Sequence, residues 1–259
     1  MKLRVTALLA TLVALAPVAS AQLNTTVGPA TVPLGGELSI TFSNDTPSLN
    51  GVSMSWLRVR DANNVIVYSD TNFELAATIG PWGWTGFTWD LEGDNGQPLP
   101  PGTYRAEVKS DFGLTSTFHR FSIVDGAAGL VFEGTPVLYG PFGTGLSERN
   151  FYLQSPNDPG AFYFLLGSFT SAVGVPTCNG TFPLDPDALF VQTLTPGAIF
   201  TKSLGTLNGQ GRSRAPRFPI PQDPSFIGID VEAAFVVLDP LAACPVVRIS
   251  NVHSMTIVG

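Results

Sequence analysis

Two histidines and two cysteines are all that 259 residues offer of the side chains most used in metal binding and nucleophilic chemistry. His119 and His253 fall in different predicted domains, so neither can assist the other in proton transfer. His119 sits in Thr117-Phe118-His119-Arg120-Phe121 and His253 beside Val252, and both are expected on solvated strand faces. No G-x-S-x-G elbow, H-E-x-x-H pair or G-x-x-x-x-G-K loop occurs. The chain therefore reads as non-catalytic, with no catalytic residue and no cofactor assigned. A glycosidase needs only two carboxylates, so a carboxylate-based glycoside hydrolase stays open as a third reading.

Charge is scarce as well, at 13% of residues, which excludes long helices and coiled coils rich in Glu and Lys. Basic residues are the smaller share: 13 Lys and Arg against 20 Asp and Glu give −7, and loss of Lys2 and Arg4 with a leader gives 11 against 20, or −9. An acidic surface repels phosphate backbones and anionic lipid, so no nucleic-acid partner is expected. The apolar run Thr6–Ala16 is too short to cross a bilayer, and no membrane span is expected in the mature chain.

That run follows Lys2 and Arg4, is broken by Pro17 and ends in Ala19-Ser20-Ala21. These are the parts of a secretory leader, so residues 1–21 are read as a signal peptide cleaved before Gln22. The expected location is secreted, periplasmic or at the surface of a bacterial cell. In such a compartment Cys178 and Cys244 are expected to pair, closing a loop whose entropy is worth about 4 kcal/mol.

What is abundant is Gly (27), Pro (22) and short apolar runs, within an apolar content of 44%. Leu38, Ile40 and Phe42 alternate, as do Val52, Met54 and Trp56, while Val65–Tyr68 returns after the turn Asp61-Ala62-Asn63-Asn64. Tyr104, Ala106 and Val108 oppose Arg105, Glu107 and Lys109 on the clearest strand, and Phe118–Val124 follows. In the second half Leu130–Leu138, Phe162–Phe169, Leu189–Leu194, Ile227–Val231, Phe235–Leu238 and Val252–Val258 are strand-like segments between loops. The small residues Asp125–Gly129 mark a boundary. The predicted fold is all-β: two consecutive antiparallel β-sandwich domains, an immunoglobulin-like one over 22–125 and a jelly-roll or immunoglobulin-like one over 126–259.

The stretch Trp89-Asp90-Leu91-Glu92-Gly93-Asp94-Asn95-Gly96-Gln97-Pro98-Leu99-Pro100-Pro101-Gly102-Thr103-Tyr104 resembles the signature of the immunoglobulin-like domain of the flagellar hook-capping family. Leu91 stands where that pattern has glycine. The resemblance implies a spacer or presentation domain; nothing else in the chain looks flagellar, and hook capping is not implied. Read physically, Trp89 is a core anchor, Asp94-Asn95-Gly96 a tight turn, and Pro101-Gly102 re-aims the chain into the Tyr104 strand. The second half resembles an uncharacterised C-terminal β module of secreted proteins from planctomycete-type bacteria. The matching pieces are Phe164-Leu165-Leu166-Gly167-Ser168, Pro183-Leu184-Asp185-Pro186-Asp187, Gly205-Thr206-Leu207-Asn208, Pro219-Ile220-Pro221 and Ile227-Gly228. That resemblance implies location and architecture, and no activity.

Three clusters are candidate sites. Trp82 and Trp84 project to one side if Gly80–Phe87 is extended, and two exposed indoles could stack sugar rings. A carbohydrate-binding module using this pair is the runner-up reading, against indoles that plug a sandwich end. Asp90, Glu92 and Asp94 alternate as calcium ligands can, but lack the remaining pattern of a helical calcium loop, and turn chemistry already accounts for Asp94. Arg212, Arg214 and Arg217 form the basic cluster, expected as a solvated strand edge. The leading expectation is a structural or interaction module whose partner is a protein or polysaccharide of the cell surface.

Overall fold

The computed structural model describes residues 23–44, 50–71, 75–79, 84–110, 117–132, 148–220 and 223–257. The expected leader lies outside them, and so does Trp82. In the first half the strands are β1 (Leu23–Gly28), β2 (Thr31–Pro33), β3 (Leu38–Asn44), β4 (Asn50–Asp61), β5 (Ile66–Asp70), β6 (Leu75–Ile79), β7 (Trp84–Trp89), β8 (Gly102–Ser110) and β9 (Thr117–Val124). The second half contains β10 (Gly129–Phe132), β11 (Glu148–Gln154), β12 (Phe162–Ser168), β13 (Val175–Thr177), β14 (Gly180–Phe182), α1 (Ala188–Thr193), β15 (Leu204–Thr206), β16 (Arg212–Ser213), β17 (Arg217–Pro219), β18 (Asp230–Leu238), β19 (Val246–Ile249) and β20 (His253–Thr256).

The fold is all-β, as the composition requires, but its sheets are smaller and more numerous than two simple sandwiches would have. A three-stranded sheet runs β1-β3-β7, and a six-stranded one runs β2-β9-β8-β4-β5 with β6 on β4. A four-stranded sheet runs β10-β11-β16 with β17 on β11, and a five-stranded one β15-β12-β18-β19 with β20 on β18; β13 and β14 form a hairpin. Strand β2 lies parallel to β9, Thr31–Pro33 opposite Ser122–Val124. The other strand pairings are antiparallel. Among the described residues no helix is long and apolar enough to cross a membrane.

Three apolar clusters organise these sheets. The first takes Leu38, Ile40 and Phe42 from β3, Leu57 and Val59 from β4, Trp89 from β7, Tyr104, Ala106 and Val108 from β8, and Phe121 and Ile123 from β9. The inward set of β8 is the one its alternation predicts. Trp89 is the expected anchor: it is buried, 4.8 Å from the Tyr68 ring and edge-on to Phe121. The Tyr104 hydroxyl donates to Pro100 O at 2.7 Å, tying the Pro101-Gly102 bend to the strand it launches. A second cluster joins β11, β12 and β18 through Phe151, Leu153, Tyr163, Leu165, Phe235 and Val237. A third, smaller one lies on the other face of β12 and β18, where Leu166, Ala234 and Val236 meet Phe182, Leu184 and Phe190.

Leu91 occupies left-handed backbone at φ +64° yet is almost fully buried. A leucine there costs roughly 1–2 kcal/mol of backbone strain, which the burial of its side chain offsets. Gly96, at φ +67°, takes the turn position that the Asp94-Asn95-Gly96 reading assigns to it.

Two segment readings change. Leu189–Leu194 is not a strand: Ala188–Thr193 is a helix whose N-cap, Asp187, accepts from Phe190 N at 2.9 Å. The cap satisfies an otherwise orphaned donor, and it decides the local structure where the apolar run alone is ambiguous. Ile227–Val231 and Phe235–Leu238 are not separate strands, because β18 runs unbroken from Asp230.

Candidate functional site

Of the proposed aromatic pair, Trp82 lies outside the described residues, and Trp84 opens β7 with its backbone opposite Ser43. Asp90, Glu92 and Asp94 are turn residues: Asp90 Oδ1 accepts from Glu92 N at 3.4 Å, and Asp94 Oδ1 from Ser69 N at 2.9 Å. Among the described residues no three His, Cys, Asp or Glu side chains gather closely enough to hold a metal ion. Cys178 and Cys244 are bonded, joining the β13–β14 turn to the loop between β18 and β19.

The histidines are not on solvated faces. His119 shares its side of β9 with buried Phe121 and Ile123, and its Nε2 is enclosed without a hydrogen-bond partner among the described residues. Burial lowers its pKa. His253, opposite Ala233 on β18, is pushed down to about 4 by burial, although its side chain keeps some contact with solvent. A neutral imidazole is what each enclosure tolerates.

Asp185 and Asp187 of the Pro-Leu-Asp-Pro-Asp stretch carry the densest hydrogen bonding. Asp185 accepts from Thr170 Oγ1 (2.6 Å) and from the backbone amides of Ala172 (3.0 Å), Val173 (2.7 Å) and Gly174 (2.8 Å). Asp187 accepts from Ser168 Oγ and Phe169 N besides capping α1. These donors hold the Asp185 carboxyl far below the usual carboxylate range, the Thr170 hydroxyl foremost, and the Asp187 carboxyl is also lowered by its bonds despite partial burial. Both carboxylates are consumed in shaping the 168–174 loop.

The pH dependence follows. With folded pKa values below the unfolded ones, Asp185, Asp187 and His253 add stability that is complete above the unfolded values and lost on acidification. Thermal melts are expected to fall from pH 6.5 towards 4 through His253, by about 2 kcal/mol after allowance for its exposed edge, and further below pH 4 through the aspartates. His253→Gln should remove the upper part of the decline and leave the lower; an unchanged upper part would refute the assignment.

Where the two halves meet, a polar clamp closes on Glu37. Its backbone N donates to Gln154 Oε1 (2.5 Å), and its carbonyl accepts from Gln154 Nε2 (2.8 Å). Its carboxylate accepts from the Tyr152 hydroxyl (2.9 Å) and pairs with Arg212, whose other nitrogen reaches Gly35 O (3.0 Å). Burial, together with the Glu37 charge, pushes the Tyr152 phenol up to about 12, so it remains a donor. Gly36 is needed for the approach, since a Cβ there would stand 2.7 Å from Gln154 Oε1 and 2.8 Å from Pro33 O.

The clamp divides the basic cluster expected as a solvated edge. Arg212 is taken by Glu37, Arg217 pairs with Glu148 at 3.0 Å, and Arg214 lies 4.3 Å above the Tyr152 ring. A 440 Å³ recess beside them is lined by Glu37, Tyr152, Asn208 and Arg214 among others. An apolar recess of 300 Å³ near α1, bordered by Phe169, Leu189, Phe226 and Ile257, has no titratable group in its wall.

A second basic cluster, which sequence reading missed, lies on the outer face of the six-stranded sheet. Arg58 and Arg60 from β4, Arg105 and Lys109 from β8, and Arg120 from β9 alternate with the core residues and therefore point away from them. Trp56 and Phe118 share the face, with Arg58 4.3 Å over the Trp56 ring and Arg105 5.0 Å over Phe118. Its signal in the sequence is the even spacing of Arg58/Arg60, two residues apart, and Arg105/Lys109, four apart, within strands whose registers place them side by side.

The chain matches no protein-family profile, and no curated protein matches it. Among solved structures it is similar to the alkylpurine DNA glycosylase AlkC of Pseudomonas fluorescens (16% identity, 40% of this chain and 30% of that one, TM-score 0.28). It is also similar to a β-glucosidase from Listeria innocua (12% identity, 40% and 16%, TM-score 0.28) and to red sea bream transglutaminase (10% identity, 92% and 31%, TM-score 0.31). The chain thus spans less than a third of each of these proteins.

Proposed function

We propose that the protein is a secreted or cell-surface, non-catalytic structural and interaction module of two successive β-sandwiches, residues 22–125 and 126–259, behind a leader of residues 1–21. The sharing of one apolar cluster by the three- and six-stranded sheets supports the first sandwich, and the cluster joining β11 to β12 and β18 supports the second. The likeness of Trp89–Tyr104 to an immunoglobulin-like spacer signature supports a presentation role, and the disulfide suits an oxidising compartment.

The observation that carries the reading is the Glu37 clamp. It spends side-chain and backbone groups from both halves on a fixed mutual orientation, as a module that displays a surface requires. Two strongly displaced titratable groups, Asp185 and His253, are occupied with loop shape and enclosure and are not aimed into a shared cleft.

The test is to express the full chain, isolate it from the exported fraction and incubate it with a panel of polysaccharides. The mature N-terminus should be Gln22, and the protein should co-sediment with envelope material without releasing reducing ends. Turnover abolished by a single Asp or Glu substitution would overturn the reading.

A further inference from the structure

We infer that the outer face of the six-stranded sheet is a docking surface for a linear polysaccharide bearing carboxylate groups, an inference that rests on the interaction-module reading and names its partner. Arg60 on β4 lies directly opposite Arg105 on β8, and Arg105 directly opposite Arg120 on β9. Three guanidinium groups thus form a row across the strands, at a strand spacing of about 4.8 Å. Like charges placed directly opposite one another destabilise a sheet. Among the described residues no ion pair relieves this row, and Glu107 and Asp61 are the carboxylates beside it. Asp61 is already engaged, its Oδ1 accepting from Asn63 N and Val65 N.

The rest of the face specifies the ligand. Asn64 steadies the row, its carbonyl accepting from Arg60 at 3.1 Å and its Oδ1 from Arg105 at 2.8 Å, so the forks are set in place before any ligand arrives. Arginine forks suit planar carboxylates through paired hydrogen bonds. A 450 Å³ hollow at the row is lined by Thr103, Asn64, Arg105 and Arg120, and so offers hydroxyl and amide partners next to the cations. Phe118, 55% exposed, offers apolar surface for sugar C–H groups where Arg105 does not cover it, and Trp56 extends the face beneath Arg58. A phosphate polymer fits less well, because its dense charge would approach a chain whose net charge is −7, or −9 without Lys2 and Arg4. A carboxylated glycan satisfies the row and uses the aromatics.

Affinity electrophoresis of the full exported chain through gels containing polygalacturonate, dextran or duplex DNA tests this. Polygalacturonate should retard the protein, dextran should not, and retardation should fade as salt rises towards 1 M. The triple variant Arg60→Gln/Arg105→Gln/Arg120→Gln should bind at least tenfold more weakly, and Arg120→Gln alone, at an exposed site, should weaken binding without moving the melting temperature. Absence of retardation would overturn the docking surface and leave the module reading standing. Equal retardation by DNA, undiminished binding by the variants, or a dimer that the triple variant abolishes would also overturn it, in favour of a phosphate polymer, another site or a second copy. Retardation accompanied by new reducing ends would keep the surface and overturn the non-catalytic reading.

Discussion

Reducing the Cys178–Cys244 bond, or replacing both residues with alanine, should lower the stability of the second half by about 4 kcal/mol and its melting temperature by about 10 °C. The bond closes a 66-residue loop, so its loss releases a large ensemble of unfolded conformations. Little else holds the β13–β14 hairpin. The cluster beneath it is the smallest of the three, and Asn179 adds one side-chain bond, from Nδ2 to Val247 O at 2.7 Å. The hairpin and α1 should loosen first, while the cluster around Phe151 and Phe235 persists. Urea unfolding with and without reductant, read with hydrogen exchange across 175–193, checks this. An unchanged midpoint would refute it.

The second large effect is expected at the clamp. Glu37→Ala leaves Arg212 and the Tyr152 hydroxyl without their shared acceptor, which should cost about 2–3 kcal/mol; the pair is 17–20% exposed, so the full penalty of a buried ion pair is not reached. The form of the loss is more telling than its size. With the clamp intact, the halves should unfold together; without it, calorimetry should resolve two transitions. Arg212→Ala added to Glu37→Ala should cost much less than it does alone, because the two changes remove one interaction.

Neither effect was equally legible in the chain. The cysteine pair was, because an exported protein with two thiols has one simple way to satisfy them. The inward set of β8, the Trp89 anchor and the Asp94-Asn95-Gly96 turn were legible for the same kind of reason: each depends on neighbours within a few residues. Glu37 was not, since its partners Tyr152, Gln154 and Arg212 lie over a hundred residues away and nothing local marks it. Leu189–Leu194 misled because a six-residue helix is too short to show its period, and the deciding residue, Asp187, sits just outside the apolar run. The cationic face needed the register of three strands at once. Arg60, Arg105 and Arg120 look unrelated until β4, β8 and β9 are paired. The inward side of His119 follows from the same alternation once Phe121 and Ile123, two and four residues on, are taken to set the core side of β9.

The parallel pairing of β2 with β9 imposes an order of events. Thr31–Pro33 emerges early from the ribosome, yet its ladder partners, Ser122–Val124, come last in the first half, and Leu34 N must wait for Val124 O. Until then β2 has no neighbour in its sheet, and such distant contacts form slowly. Growth of the polypeptide by ninety residues therefore precedes closure of the six-stranded sheet, and a nascent chain halted before Ser122 should stay open there to proteases and chaperones.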